Sequence, residues 1–254
     1  MASDRRKARD SGSSVWLSGP PARHASGGQP HGLGLDKIVE ATVRLLDAEG
    51  LAKVSMRRLA GELGVTAMSV YWYVDTKDEL LELALDHVHE EIRLPADDVD
   101  WRERLRQLAR EHRRMLVTHP WVSPLAGEYL NIGPRALAFA ECAQEAIRDS
   151  GLPARSWLGA LSLLFQFSYG FGTVEGRWRE RCRSLGVSED ELHGEVMARL
   201  AGRSEYAVSL ATVQARGEGA VGVLRERDFE FALDCAIAGI TEMGRSGTGS
   251  VGGR

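Results

Sequence analysis

A chain of 254 residues, 43% of them hydrophobic, is long enough for one large or two smaller packed domains and too apolar to stay disordered throughout. Its formal net charge of −4 gives no general attraction to nucleic acid, so a role of that kind has to rest on local charge. Three widely separated cysteines, Cys142, Cys182 and Cys235, with no C-x-x-C spacing, point to neither a disulfide framework nor a cysteine-rich zinc site and fit a reducing cytoplasm.

The first 33 residues, beginning "MASDRRKARDSGSSVWLSGPPARHASGG", have no continuous apolar segment after their charges and so do not read as a secretory signal. Their Gly, Ser and Pro content predicts a flexible arm over residues 1–33, in which Arg5, Arg6, Lys7, Arg9 and Arg23 outweigh Asp4 and Asp10. From Leu35 to Glu49 the positions Ile38, Val39, Thr42, Leu45 and Leu46 recur at helical spacing, with Gly50 where a left-handed cap is expected. Ser55 then stands where its hydroxyl can cap "MRRLAGEL", whose inward stripe is Met56, Leu59, Ala60 and Leu63. Gly64 ends that helix, and Thr66 caps "AMSVYWYV" after a very tight turn, which is helix-turn-helix spacing. Asp75 and Thr76 interrupt the pattern before "KDELLELALDHVHEEI", which turns Leu80, Leu81, Ala84, Leu85 and Val88 inward until Pro95. A first domain is therefore expected over residues 34–94.

A second, larger domain is expected over residues 95–244. Its first helix runs from Trp101 to Thr118, with arginines outside and Leu105, Leu108, Met115 and Leu116 inside, and stops at His119-Pro120. Further helices are predicted at 123–130, 134–149, 154–179 and 227–243. The more polar stretch 185–224 reads as one or two weaker helices with a mobile connection, and 245–254 as a flexible tail. No segment has strand alternation, so the fold class is all-α: an N-terminal three-helix domain followed by a larger helical domain. "SWLGALSLLFQFSYGFGTV" is uncharged and near spanning length, but Ser162, Gln166, Ser168, Thr173 and three glycines suit a buried helix of a soluble domain, and no membrane role is expected.

In a helix-turn-helix the second helix enters the major groove with its N-terminal residues at the base edges. Thr66 and Ser69 offer hydroxyls there, Ala67 and Met68 offer apolar contact to thymine methyls, and Arg57 can meet a base or a phosphate. Tyr71, Trp72 and Tyr73 lie about 100° apart around a helix, so they cannot all face the core. Tyr71 is the readiest of them to plug it, and an outward phenol or indole N–H can orient a phosphate. Lys77, opening the next helix, is placed for phosphate too, and residues 53–77 carry two more positive than negative charges. Other chemistry is weaker. "GEGAVG" satisfies G-x-G-x-x-G without a preceding strand, and His87 with Glu91 reads as a solvated helix face rather than a metal pair. No nucleophile and base, phosphate loop or carboxylate pair can be assembled, so no catalytic residue, metal or cofactor is expected.

The stretch "VSMRRLAGELGVTAMSVYWYVDTKDELLELAL" closely resembles the DNA-binding domain of the TetR family of bacterial transcriptional regulators, over about residues 35–92. The capped "SMRRLAGELGV", the helix ending "YWYV" and the following "KDELL" stand in order at family spacing. The resemblance implies that Arg57, Thr66, Ala67, Met68, Ser69, Tyr71, Trp72, Tyr73 and Lys77 hold the family's DNA-facing positions. Through "THPWVSPLAG", "SYGFGTVEGRW" and "FEFALDCAIAGI" the remainder resembles the ligand-binding and dimerisation domain of the tetracycline-repressor branch. That implies a repressor released from DNA by a small molecule. The branch's magnesium-chelating histidine has no counterpart in "GEYLNIGP", so no metal is expected here.

One short helix-turn-helix reads too few bases unless doubled by symmetry, so a homodimer on a palindromic double-stranded DNA operator is expected. "SWLGALSLLFQFSYGFGTVEGRW" and "DFEFALDCAIAGI", apolar around more than one face, are the segments expected to pair as an intersubunit four-helix bundle. Trp121, Tyr129, Phe139, Phe165, Tyr169 and Trp178 are spread over segments expected to converge, with Gln166 and Glu175 as polar anchors, and this composition suits a small, mostly apolar effector. Gly170 and Gly172 read as points of close approach, and a buried Glu175 needs an arginine, a metal or the effector beside it. The alternatives are an all-α enzyme and a non-catalytic helical interaction protein. DNA retention that weakens steeply with salt and sharpens on one palindrome separates the first reading from both.

Overall fold

The computed structural model describes residues 14–17 and 33–248; most of the expected arm and the last six residues of the expected tail lie outside the described residues. Among the described residues all regular structure is helical. The chain forms two compact units, one of residues up to Pro95 together with Thr118–Cys142, the other of Ala96–Val117 with residues from Ala143 onward. The sequence placed one boundary near Leu94; in the fold residues 118–142 also join the first unit.

In the first unit α1 (Leu35–Glu49) packs against α2 (Met56–Leu63) and α4 (Lys77–Val88), and α3 (Ala67–Tyr71) packs against α2. Ile38, Leu46, Leu59, Val70, Leu80 and Leu85 are almost fully buried and form the centre of its core. Each helix start has a local cause. Ser55 accepts from the Arg58 amide, Thr66 from Ser69 and Thr76 from Glu79, each satisfying an amide the helix leaves free and each contributing about 1 kcal/mol. Gly64 closes α2 in the left-handed conformation at φ 65°, as its position predicts. Gly50 takes a positive φ of 77° with an extended ψ, so it ends α1 without the left-handed cap expected of it. After α4 and a 3₁₀ turn at His89–Glu91, the chain returns to this unit with α6 (Val122–Leu125), shorter than the helix expected over 123–130, and the start of α7 (Pro134–Arg148). Residues 14–17, inside the stretch read as arm, form a turn whose Ser14 and Val15 are buried.

In the second unit α8 (Trp157–Leu185) packs against α11 (Val221–Thr248) and α9 (Glu189–Leu200), and α9 against α11; α5 (Trp101–Thr118) and α10 (Ala207–Ala215) complete its helices. The helices α8 and α11 outrun the predicted spans. Gly186 stops α8 at φ 68°, whereas α11 continues to Thr248, through the first residues of the expected tail. Gly244 lets α11 pass so close to the Ser150 carbonyl that a Cβ would lie 2.4 Å from its oxygen, and packing of this kind overrides a flexible composition. The reading of α5 as arginine outside and leucine inside holds only in part. Leu105, Leu108, Met115 and Leu116 are buried, but so are Arg104 and Arg113. Each has carboxylate partners, Glu145 for Arg104 and both Glu175 and Glu226 for Arg113, which a periodicity argument does not register. Among the described residues no helix is long and apolar enough to cross a membrane.

Candidate functional site

The outward face of α3 follows from which of its residues the core claims. Val70 and, just beyond the helix, Val74 are buried to 0% and 1% exposure and fix the helix's rotation. That rotation leaves Met68 77% exposed and Tyr71 44% exposed, while Thr66 is exposed and Ala67 and Ser69 half-buried. Thr66 and Ser69 are joined by a hydroxyl pair at 2.9 Å in addition to the cap, so both hydroxyls stand together at the helix start with bonding capacity to spare.

The aromatic triplet is resolved differently from the expectation. Only Tyr71 lies within α3, and it is the outward one rather than the core plug. Trp72 and Tyr73 follow the helix, half-buried, with rings edge to face at 4.9 Å. The Tyr73 hydroxyl donates to the Leu33 carbonyl at 2.7 Å, tying the chain just before α1 to the end of the recognition segment. The helix is shorter than the sequence suggested, so of the three aromatics only Tyr71 takes its direction from the helical turn.

Around this face the cations differ in their commitments. Arg58 is held by Glu49 at 2.6 Å and Glu62 at 3.1 Å, and its pKa is raised, chiefly by its hydrogen bond to Glu49. Arg57, exposed at the start of α2, and Lys77, at the start of α4, have no ion-pair partner among the described residues. The unit therefore presents two hydroxyls, two apolar side chains and a phenol with a free cation on either side in sequence.

Helix α4 carries a stripe of carboxylates at four-residue spacing. Asp78 accepts from the Tyr129 hydroxyl at 2.9 Å, and Glu82 from the Ser14 hydroxyl. Asp86 accepts from the amides of Arg135 and Ala136 at 3.0 Å each, capping α7. Gly133 is needed there, since a Cβ would lie 2.2 Å from the Asp86 carboxylate. Tyr129 has its pKa raised by burial and by Asp78, so its phenol stays neutral. Beside this, His119 bridges Asp47 of α1 at 2.7 Å and Glu91 at 3.2 Å, and Trp121 donates to the same Asp47 oxygen at 2.7 Å. Burial opposes the imidazolium, but the bonds and charges of Asp47 and Glu91 outweigh it and raise the His119 pKa. His89 goes the other way, its pKa lowered because burial disfavours the charged form by more than the carbonyl bond to Leu85 and the charge of Asp86 favour it.

The residues expected to hold an effector fall in both units. In the first, Trp121 is buried and engaged with Asp47, Tyr129 with Asp78, and Phe139 lies edge to face with His89 at 6.3 Å. In the second, Phe165 meets His112 edge to face at 5.7 Å, Tyr169 and Trp178 are half-buried, and Gln166 is exposed. Of the three partners left open for Glu175, the fold supplies arginine: Arg113 at 2.8 Å, Arg179 at 2.7 Å and Arg225 at 3.6 Å. The two glycines also separate. Gly172 faces Leu116 and the Arg113 carbonyl on α5, so its close approach is a helix crossing, whereas Gly170 meets nothing within 4 Å.

Residues 38–84 match the model for bacterial regulatory proteins of the tetR family, and residues 94–244 match that for the tetracyclin repressor-like C-terminal domain. The chain belongs to the TetR family. An HTH-type transcriptional regulator of Saccharopolyspora erythraea is 40% identical over 147 residues, covering 58% of this chain and 62% of that protein. The HTH-type transcriptional repressor DrrR1 of Streptomyces coeruleorubidus is 36% identical over 179 residues, covering 70% of this chain and 65% of its own. The chain thus spans slightly under two thirds of the length of these two relatives. The solved structure of the TetR family protein ActR of Streptomyces coelicolor in complex with actinorhodin superposes with a TM-score of 0.64 at 29% identity, covering 83% of this chain and 96% of ActR. In this TetR-family chain the sequence reading missed Asp47, Glu82, Asp86 and His119. The signal was faint: His119-Pro120 reads as a helix stop, and Asp47, Glu82 and Asp86 stand in amphipathic helices whose polar positions carry no spacing motif.

Proposed function

We propose that this TetR-family protein is a sequence-specific DNA-binding regulator that reads a palindromic operator as a homodimer and represses until a small, mostly apolar effector releases it. The observation that carries the reading is the capped start of α3, where core residues Val70 and Val74 aim Thr66, Ala67, Met68 and Ser69 outward. These are side chains sized for base edges in a major groove, and Tyr71, Arg57 and Lys77 supply the phosphate contacts that set register. Repression is supported by the likeness to DrrR1, and an effector by the likeness to ActR with actinorhodin. Half-buried Phe165, Tyr169 and Trp178 on α8 are the aromatic part of the effector reading in the second unit, with Trp121, Tyr129 and Phe139 in the first. Glu175, already held by three arginines, acts there as part of the scaffold.

Dimerisation is supported by apolar side chains left in water on two helices of the second unit. Leu158, Leu163 and Val174 on α8 and Phe231 and Met243 on α11 are each more than half exposed, an arrangement that a second copy would cover as a helical bundle. The place of action is the bacterial cytoplasm, where the DNA lies.

Selection of bound duplexes from random double-stranded oligonucleotides tests the reading. A single palindrome should emerge, with affinity falling steeply as salt rises. Thr66→Val or Ser69→Ala should relax base preference, and Lys77→Ala should weaken binding to all sequences alike. Enrichment of no sequence, or variants that bind as the parent does, would remove the recognition role from α3.

A further inference from the structure

Of the three carboxylates that stand a turn apart on one face of α4, the outer two hold the same stretch of chain. Asp78 accepts from the Tyr129 hydroxyl, and Asp86 from the Arg135 and Ala136 amides. Glu82, between them, takes its partner from elsewhere. It is buried, and the Ser14 hydroxyl donates to it. The Leu17 amide donates to the Ser14 carbonyl at 3.1 Å and the Trp16 amide to the Ser14 hydroxyl at 3.3 Å, which folds residues 14–17 into a turn at that carboxylate. Ser14 and Val15 are 5% and 7% exposed. Four residues have too little surface to bury a valine by themselves, so the cover over Val15 comes from the unit on which the turn sits. This seat is linked to the recognition segment through the first turns of α4. Glu79, three residues before Glu82, is buried; its carboxylate accepts from the Asp75 amide at 2.8 Å, and Thr76 accepts from the Glu79 amide. Asp75 directly follows Val74, one of the two core residues that fix the rotation of α3. A helix is stiff over a single turn, so α4 cannot shift at Glu82 without carrying Glu79 and the end of the recognition segment with it.

We infer that residues 14–17 are an intramolecular latch: seated on α4 at Glu82, they hold that helix in the arrangement in which α3 reads DNA, and their release lowers affinity for the operator without removing a DNA contact. The inference rests on the DNA-binding reading above. With the latch seated, the carboxylate row of α4 is tied at all three of its positions, to Tyr129, to Ser14 and to the start of α7. With the latch released, the middle tie is lost, the Glu82 carboxylate and Val15 return to water, and α4 gains arrangements in which the recognition segment is displaced. A protein whose binding-competent state is only partly populated binds more weakly in proportion to that fraction, so the seat acts on affinity from a distance. The latch is held by one charge-assisted hydrogen bond and the burial of two small side chains, few enough contacts for its seating to be reversible. Its attachment to the same chain makes that seating independent of protein concentration.

The test uses the full chain and the duplex most enriched by selection from random oligonucleotides. Val15→Asp, which puts a charge into the seat, should bind that duplex about tenfold more weakly. Base preference and the slope of log affinity against log salt should stay as in the parent, because no phosphate contact is lost. Leu17→Asp adds the same charge two residues on, at a position 67% exposed, and should bind as the parent does. Ser14→Ala should weaken binding about threefold, and should have no further effect once Glu82→Ala is in place, since the two residues act through one bond. Thermal melts establish that each variant is folded; should Val15→Asp unfold, the Ser14 and Glu82 cycle decides alone. If folded Val15→Asp binds as the parent does or more tightly, the inference is overturned while the role of α3 stands. Equal losses from Val15→Asp and Leu17→Asp, or a lowered salt slope in Val15→Asp, would assign the effect to charge beside the DNA and overturn it too. So would a loss from Ser14→Ala that persists undiminished in Glu82→Ala. Absence of DNA binding by the parent itself would remove both readings.

Discussion

Replacing Gly172 by alanine should destabilise the protein, although the same exchange elsewhere in a helix stabilises. A Cβ at position 172 would lie 2.8 Å from the Leu116 Cβ and 3.2 Å from the Arg113 carbonyl oxygen, both on α5. Neither atom is the free end of a flexible side chain, so relief requires α5 and α8 to move apart. Overpacking of this kind costs about 1–3 kcal/mol, against which alanine's better helix propensity returns about 1 kcal/mol. The net is a loss of up to about 2 kcal/mol, or up to about 4–8 °C in Tm for a protein of this size. Gly194, midway along α9, is the control, because nothing lies within 4 Å of its Cβ position. Gly194→Ala should raise stability by about 0.5–1 kcal/mol. Thermal and urea unfolding of both variants and the parent, at one fixed protein concentration because assembly shifts Tm, gives the comparison. A Gly172→Ala variant as stable as Gly194→Ala would refute the tight α5–α8 crossing.

His119 should make stability depend on pH. Its folded pKa is raised above the usual 6.5, so its contribution is complete below about pH 6.5 and is lost as pH rises through the folded value. Asp47→Asn should flatten that fall in urea-unfolding free energy as pH rises above about 6.5, and an unchanged slope would remove His119 as its source. Glu175→Gln should cost about 1.5–3 kcal/mol, because it takes the buried carboxylate from Arg113, Arg179 and Arg225 while Glu226 still pairs Arg113. Glu195→Gln, whose partner Arg199 is exposed, should leave the urea midpoint where it is. Equal effects from the two glutamate variants would mean that the buried network is no more important than a surface pair.

The helices of the first unit were legible because their causes are local. Ser55, Thr66 and Thr76 cap by reaching three residues along the chain, Gly64 ends α2 through its own φ, and the apolar stripe of α1 repeats every turn. The same short range made the recognition segment readable, since its position depends on two caps, one glycine and Val70. The triplet after it was less readable. Tyr71 turns outward and Tyr73 inward because α3 stops after five residues and a carbonyl 40 positions away accepts the Tyr73 hydroxyl.

What the sequence determined by itself was the all-helical class, the helix-turn-helix and the residue types offered at its reading end, since each follows from spacing within about ten residues. Tertiary structure alone decided which charges are buried. Arg113 and Glu175 are 62 positions apart, Asp47 and His119 72, and Ser14 and Glu82 68. Each would be an expensive isolated polar group, and becomes tolerable only beside the partner that folding brings to it. Periodicity assigns charges to the water side because it averages over one helix; the partner that reverses the assignment lies on another.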